Sequence, residues 1–435
     1  MNYQEIYKSK LVPNEKAVAS VKSGDSVWIP PVNDAPVALV EALCQRYESL
    51  RDVMLHSSLS SSPLEVFKGK YKGHIGFTTL FLGAYERKYL GEGNIRYTSV
   101  HLSKYGRYME EIVKPRVAMV SVSPPDENGN MHYGPSGTFA NKTAVDMAEV
   151  VIVNVNRKSP VIYGVDNCLN VRDVTYVCEN DFDIPELPDG PIGDVEKKIA
   201  SYIIDGINDG DTLQIGIGAI ANAVVYGLDN KKDLGVHTEM LTNSICYLAK
   251  KGVINGARKN FLPNKIVGAF ALGSKELYDF LDRNEMIRMA PVTWVNAYEN
   301  IAGNDNMVSI NAALMIDITG QICSESVGFK QISGTGGQLD FVLGSLGSKG
   351  GRSYFVFPST TETKSGVESR IRISLPEGGA VTTPRTCVQY VVTEYGMANL
   401  YLKSFSDRAK ALIGIAHPDF REELEFQAKK LGIII

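Results

Sequence analysis

The chain has 435 residues, 44% of them hydrophobic and 22% charged, which is ordinary usage for a globular protein. Lys+Arg 45 against Asp+Glu 49 gives a net charge of −4. That excludes the broad basic field of a dedicated nucleic-acid binder and leaves room for a local basic pocket. No apolar run approaches the ~20 residues of a membrane span. The first eight residues lack the charged-then-apolar layout of a secretory signal. The expectation is a cytoplasmic protein of two or three domains with neither nucleic acid nor membrane as partner.

Along the chain, residues 25–29 read as a strand, and residues 36–43 read as a helix with apolar positions at helical spacing. Residues 117–122 and 150–155 are continuous runs rich in β-branched residues, suited to strands buried on both faces. Strands alternating with helices predict an α/β fold with largely parallel sheets. Residues 420–435 read as a charged amphipathic helix.

An internal repeat organises these elements. The segment around Gly24 and Asp25 recurs around Gly210 and Asp211, and the segment ending in His56 recurs as the one ending in His237. Asn128-Gly129 then aligns with Thr319-Gly320, and Ser136-Gly137 with Val327-Gly328. The matches keep their order at a nearly constant offset. Two related open α/β domains are therefore expected from an internal duplication, because solenoid units are far shorter. Three prolines between Pro185 and Pro191 mark a linker, which gives domains 1–184 and 185–435.

The six cysteines are Cys44, Cys168, Cys178, Cys246, Cys323 and Cys387; they form no CxxC. The six histidines form no HExxH. No metal site is expected.

The halves differ where chemistry would sit. Glu239 stands at the end of a short apolar segment, where the first copy has Ser58. In open α/β sheets, ligands gather at the carboxyl ends of strands. Gly216-Ile217-Gly218-Ala219-Ile220 joins a strand to a helix, where the first copy carries Pro30-Pro31-Val32-Asn33. Glycines let backbone N–H groups approach a ligand, and a helix N-terminus favours negative charge. Taken alone, Gly-x-Gly also fits a plain tight turn. Ala221 stands where a dinucleotide fingerprint would continue, which disfavours a nicotinamide cofactor. Gly334, Gly336 and Gly337 form a second cluster, and Gly378-Gly379 opens a third that ends at Arg385. A carboxylate framed by amide-rich loops points to acyl chemistry. Glutamate (reference pKa ~4.3) is ionised at neutral pH and needs no base to act as a nucleophile.

Residues 234–240, 214–220, 333–341, 391–396 and 415–420 together resemble the acetyl-CoA hydrolase/transferase family of coenzyme A-transferases, and the likeness runs along the whole chain. The resemblance implies coenzyme A as co-substrate, a homo-oligomer, and a ping-pong reaction through a glutamyl-CoA thioester on Glu239. It implies that Gly216, Ile217, Gly218, Ala219 and Ile220 line the CoA and oxyanion site, joined by Gly336 and Gly337. It also matches Asn296 and Lys364 to CoA or acyl contacts. The reaction it implies passes CoA from a short-chain acyl-CoA to a carboxylate such as acetate. Butyryl-CoA is favoured; 4-hydroxybutyryl-CoA transfer and acyl-CoA hydrolysis are the alternatives.

Overall fold

The computed structural model describes residues 2–434. The chain forms two compact units: residues 1–188 with 239–241 and 267–295, and residues 189–238 with 242–266 and 296–435. Both are α/β.

The first unit holds a seven-stranded sheet. Its strands in chain order are β1 (Ser26–Trp28), β2 (Val53–Ser57), β3 (Ile75–Thr79), β4 (Ile95–Tyr97), β5 (Val117–Val122), β6 (Val150–Val155) and β7 (Tyr176–Glu179). Spatial order is β4-β3-β2-β1-β5-β6-β7, and every neighbouring pair is parallel. All six residues of β5 are buried, as expected of a strand covered on both faces. The helix read at 36–43 runs Val37–Gln45 and buries Leu39, Val40 and Leu43. Beneath it Phe67 meets Phe77 edge-on at 4.8 Å. Such a fully buried side chain contributes roughly 1.5–3 kcal/mol.

In the second unit β8 (Thr212–Ile215), β9 (Gly235–His237), β10 (Met307–Ala312), β11 (Arg352–Val356) and β12 (Tyr390–Thr393) lie in the order β9-β8-β10-β11-β12. They are all parallel, and β13 (Gly396–Asn399) closes the edge antiparallel to β12. This order repeats β2-β1-β5-β6-β7. The core packs Ile316, Phe355, Phe357, Val391 and Leu412.

The turns repeat in atomic detail. Gly24 and Gly210 have φ of +82° and +86°, and Asp52 and Asp233 have +55° and +58°. Asp25 accepts the Lys22 N–H at 2.6 Å, and Asp211 accepts the Asn208 N–H at 2.6 Å. Each aspartate is ion-paired with an arginine, Arg116 in the first unit and Arg352 in the second. Further on, Asp126 Oδ1 accepts the N–H of Asn128 and of Asn130, both at 2.8 Å. Asp317 Oδ1 accepts those of Thr319 and Gln321, both at 2.9 Å. These are Asx turns, in which the carboxylate stands in for a backbone acceptor.

The C-terminal helix runs Pro418–Lys430, beginning two residues before the expected start. Pro418 occupies its first turn and His417 accepts the Asp419 N–H at the cap; proline suits that position because its missing N–H would be unpaired anyway. Among the described residues no helix is long and apolar enough to cross a membrane.

Candidate active site

The glycine turn of the second unit lies at the carboxyl end of β8. Gly216 N–H donates to Ile310 O at 3.3 Å, which anchors the turn to β10. Gly218 caps the helix Ala219–Tyr226 with φ +117° and ψ 170°, a region essentially closed to residues with a Cβ. The first helical bond runs from Asn222 N to Gly218 O at 3.0 Å. The N–H groups of Ala219, Ile220 and Ala221 precede it and have no intrahelical acceptor. They face the helix N-terminus, where the peptide dipoles favour negative charge. Ile217 is 46% exposed.

Gly216 to Ala221 line a cavity of about 220 Å³ with Ile310, Ala312, Val356, Phe357 and Arg370 among the other walls. Asn296, Gly336, Gly337 and Lys364 are not among its lining residues. The second glycine cluster is buried. Gly336 has φ +59°, and Gly337 caps the helix Gln338–Gly347. That helix connects the clusters. Gln338 donates to Ala312 O at 3.0 Å, on the cavity wall. Its Oε1 accepts from Ser324 Oγ at 2.9 Å and from Thr383 Oγ1, in the third cluster, at 3.2 Å. Fully buried Asn296 reaches Asp340 of the same helix at 3.4 Å. Three of the sequence candidates thus converge on one helix start. Lys364 stands apart, exposed at the tip of the hairpin formed by Thr360–Thr363 and Gly366–Ser369. Arg385 turns to the Phe405 ring, 5.3 Å away.

Glu239 belongs to the first unit, while its neighbours Thr238 and Thr242 on either side of 239–241 belong to the second. It sits on a bend after β9, half-buried. Its carbonyl accepts the N–H groups of Ala269 at 2.9 Å and Phe270 at 3.1 Å. Met240 and Leu241 then pair in parallel with Phe270 and Ala271. Two backbone bonds at the glutamate itself hold that position in the chain. His237 is fully buried, with its ring 6.2 Å from both Phe261 and Phe341, a packing role.

Two residues carry signals that sequence reading missed. Lys259 is 4% exposed, donates to Val236 O at 2.9 Å and Lys265 O at 3.0 Å, and so clamps β9 just ahead of Glu239. Burial pushes its ammonium down to about 7. Gln338 was hidden inside a glycine motif; a polar residue directly after three glycines, at a helix start, was its only mark.

An open parallel α/β sheet with an amide-lined turn at its strand ends defines a ligand-binding α/β protein. Family models for the acetyl-CoA hydrolase/transferase N-terminal and C-terminal domains match residues 1–187 and 273–428. The chain is 42% identical to the 4-hydroxybutyrate coenzyme A transferase of Clostridium kluyveri, covering 99% of this chain and 100% of that one. It is 40% identical to the butyryl-CoA:acetate CoA-transferase of Anaerostipes caccae, over 100% and 99% of the two chains. The crystal structure of RipA from Yersinia pestis superposes with a TM-score of 0.94 at 34% identity, covering 100% of both chains. The chain belongs to the acetyl-CoA hydrolase/transferase family.

Proposed function

We propose that the chain moves coenzyme A between a short-chain acyl-CoA, butyryl-CoA first, and a carboxylate such as acetate, with Glu239 as covalent relay. The observation that carries this reading is the divergence of a duplicated turn. On the same scaffold, only the second copy is opened by glycines and presents first-turn amides to a cavity.

The chemistry follows from the groups assigned. The Glu239 carboxylate attacks the thioester carbonyl; the C–S bond breaks, CoA leaves as thiolate, and an acyl-glutamyl anhydride remains. The thiolate attacks the glutamyl carbonyl, which frees the first carboxylate and leaves a glutamyl-CoA thioester. The second carboxylate reverses both steps, and Glu239 is regenerated. Each attack builds an oxyanion, and one amide donor aimed at such an oxygen is typically worth about 2.7–4 kcal/mol. The turn 216–220 and Gly337 supply such donors in this reading. Asn296 positions the helix start through Asp340, and Lys364 meets the CoA phosphates.

A second reading, 4-hydroxybutyryl-CoA transfer, is favoured by the identity of 42% to a relative of that name. Hydrolysis differs in that water takes the second step. Borohydride reduction after incubation with butyryl-CoA tests the relay. Conversion of Glu239 to its alcohol, mapped to the peptide 234–242, is the expected result. Modification elsewhere, or near-normal transfer by Glu239→Ala, overturns the assignment. Rates with butyrate, 4-hydroxybutyrate and no acceptor separate the three readings.

A further inference from the structure

Arg370 is a wall of the glycine-turn cavity, and the chemistry above gives it no task. Its backbone is fixed on both sides: its N–H donates to Ser359 O at 2.8 Å, and its carbonyl accepts the Ile316 N–H at 2.9 Å. Its side chain is half-buried. Nε is shielded from solvent without a hydrogen-bond partner, and the guanidinium forms no ion pair among the described residues.

Three other part-buried arginines of this unit have polar partners, and a fourth, Arg385, lies over the Phe405 ring. Arg352 binds Asp211 and Gly206 O; Arg408 binds the carbonyls of Lys403, Thr319 and Arg385; Arg372 binds Glu368 at 2.7 Å. Glu394, the carboxylate whose field reaches Arg370, is committed to Ser359, accepting from N at 2.9 Å and Oγ at 2.5 Å. A half-buried cation with unused donors costs free energy unless a ligand completes it. Guanidinium is planar, always charged, and matched to carboxylate and phosphate.

We propose that Arg370 is the oxyanion-binding residue of this cavity, taking a carboxylate or phosphate group of a ligand of the transfer reaction. The inference rests on the CoA-transfer reading above. The first-turn amides of the helix Ala219–Tyr226 add potential of the same sign. Ile217, Ile220, Ile310, Val356 and Phe357 supply apolar walls, so the cavity joins one cationic end to a short aliphatic space. Glu196, the acidic lining residue, is turned to its own helix cap: a Cβ on Gly193 would lie 2.6 Å from its Oε2.

The test compares wild type, Arg370→Gln and Arg370→Lys by steady-state kinetics and by thermal shift with acetate, CoA or inorganic pyrophosphate. We expect Arg370→Gln to raise one KM at least ~10-fold, about 1.4 kcal/mol. Lysine, which keeps charge without the fork, recovers part of the loss. A rise confined to acetate identifies the carboxylate as the bound group; a rise confined to acyl-CoA, with loss of the pyrophosphate shift, identifies the phosphates. Unchanged KM values and unchanged shifts in a folded Arg370→Gln overturn the inference. A wild type without transfer activity, still stabilised by oxyanions through Arg370, fails the transfer reading and leaves this one standing.

Discussion

The turns after β1 and β8 occupy the same place in two copies of one sheet, 186 positions apart between Val32 and Gly218. Both pass through positive φ, +61° at Val32 and +117° at Gly218. Their surroundings are opposite. Residues 29–34 are all buried: Val32 is 2% exposed, its N–H bonds Ser58 O at 3.1 Å, and its carbonyl accepts Ser61 N at 2.8 Å. Asn33 donates to Ala271 O at 3.2 Å and to the Tyr278 hydroxyl at 2.9 Å, and Asp34 accepts the Ser136 N–H at 2.5 Å. The second turn spends its backbone on one anchor, Gly216, and leaves the rest beside a cavity. The duplicated frame was kept, and one copy of the turn became packing while the other became available to a ligand.

Exchanging residues between the copies breaks this comparison most directly. Glu239→Ser, which installs the residue type of Ser58, is expected to cut transfer by at least ~10³-fold, because serine here has no base to activate it. Circular dichroism checks that the fold survives. Gly218→Val, after Val32, meets open space, since nothing lies within 4 Å of an added Cβ. Its cost is therefore conformational, about 1–3 kcal/mol, and a fall of roughly 10–100-fold in kcat/KM is expected, with Tm measured alongside.

The pH dependence of stability sharpens the contrast. Burial pushes the Asp34 carboxyl up to about 6, against hydrogen bonds from Ser136 that lower it. A carboxyl whose pKa is raised on folding holds its proton longer in the native state. Its contribution is therefore present below about 4 and lost as pH rises through about 6, a cost of roughly 3 kcal/mol. Urea unfolding from pH 4 to 7 should show this decline in the wild type and a flatter curve in Asp34→Asn. The smallest effect is expected at Lys364. It is exposed at a hairpin tip, so Lys364→Ala should leave Tm unchanged and raise KM for CoA esters only a few-fold, within ~1 kcal/mol.

The repeat was legible because its anchors are residues that turns demand. Gly24 and Gly210, Gly129 and Gly320, Gly137 and Gly328 all have positive φ, and Asp126 and Asp317 close equivalent Asx turns. Runs such as 117–122 announced buried strands by their recurring valines and lack of any charged residue. The repeat set Val32 opposite Gly218, but the positive φ at Val32 was not legible, since valine seldom adopts that conformation and only its packing holds it there. Arg370 was equally hidden. Its neighbours come from the ends of β8, β10 and β11, and nothing local distinguishes it from Arg372. The assignment of 239–241 and 267–295 to the first unit depends on contacts far apart in sequence, which no window of residues displays.

The Val32 turn has a consequence on the timescale of amide exchange. Its N–H lies within a buried, doubly bonded loop, so it opens only when a cooperative part of the first unit opens. The N–H groups of Ala219 and Ile220 have no helical acceptor to lose. In deuterated solvent the two copies should therefore separate cleanly, with Val32 retaining its proton long after Ala219 and Ile220 have exchanged theirs. A bound ligand that slows exchange at 219–220 and leaves Val32 unaltered would locate itself by kinetics alone.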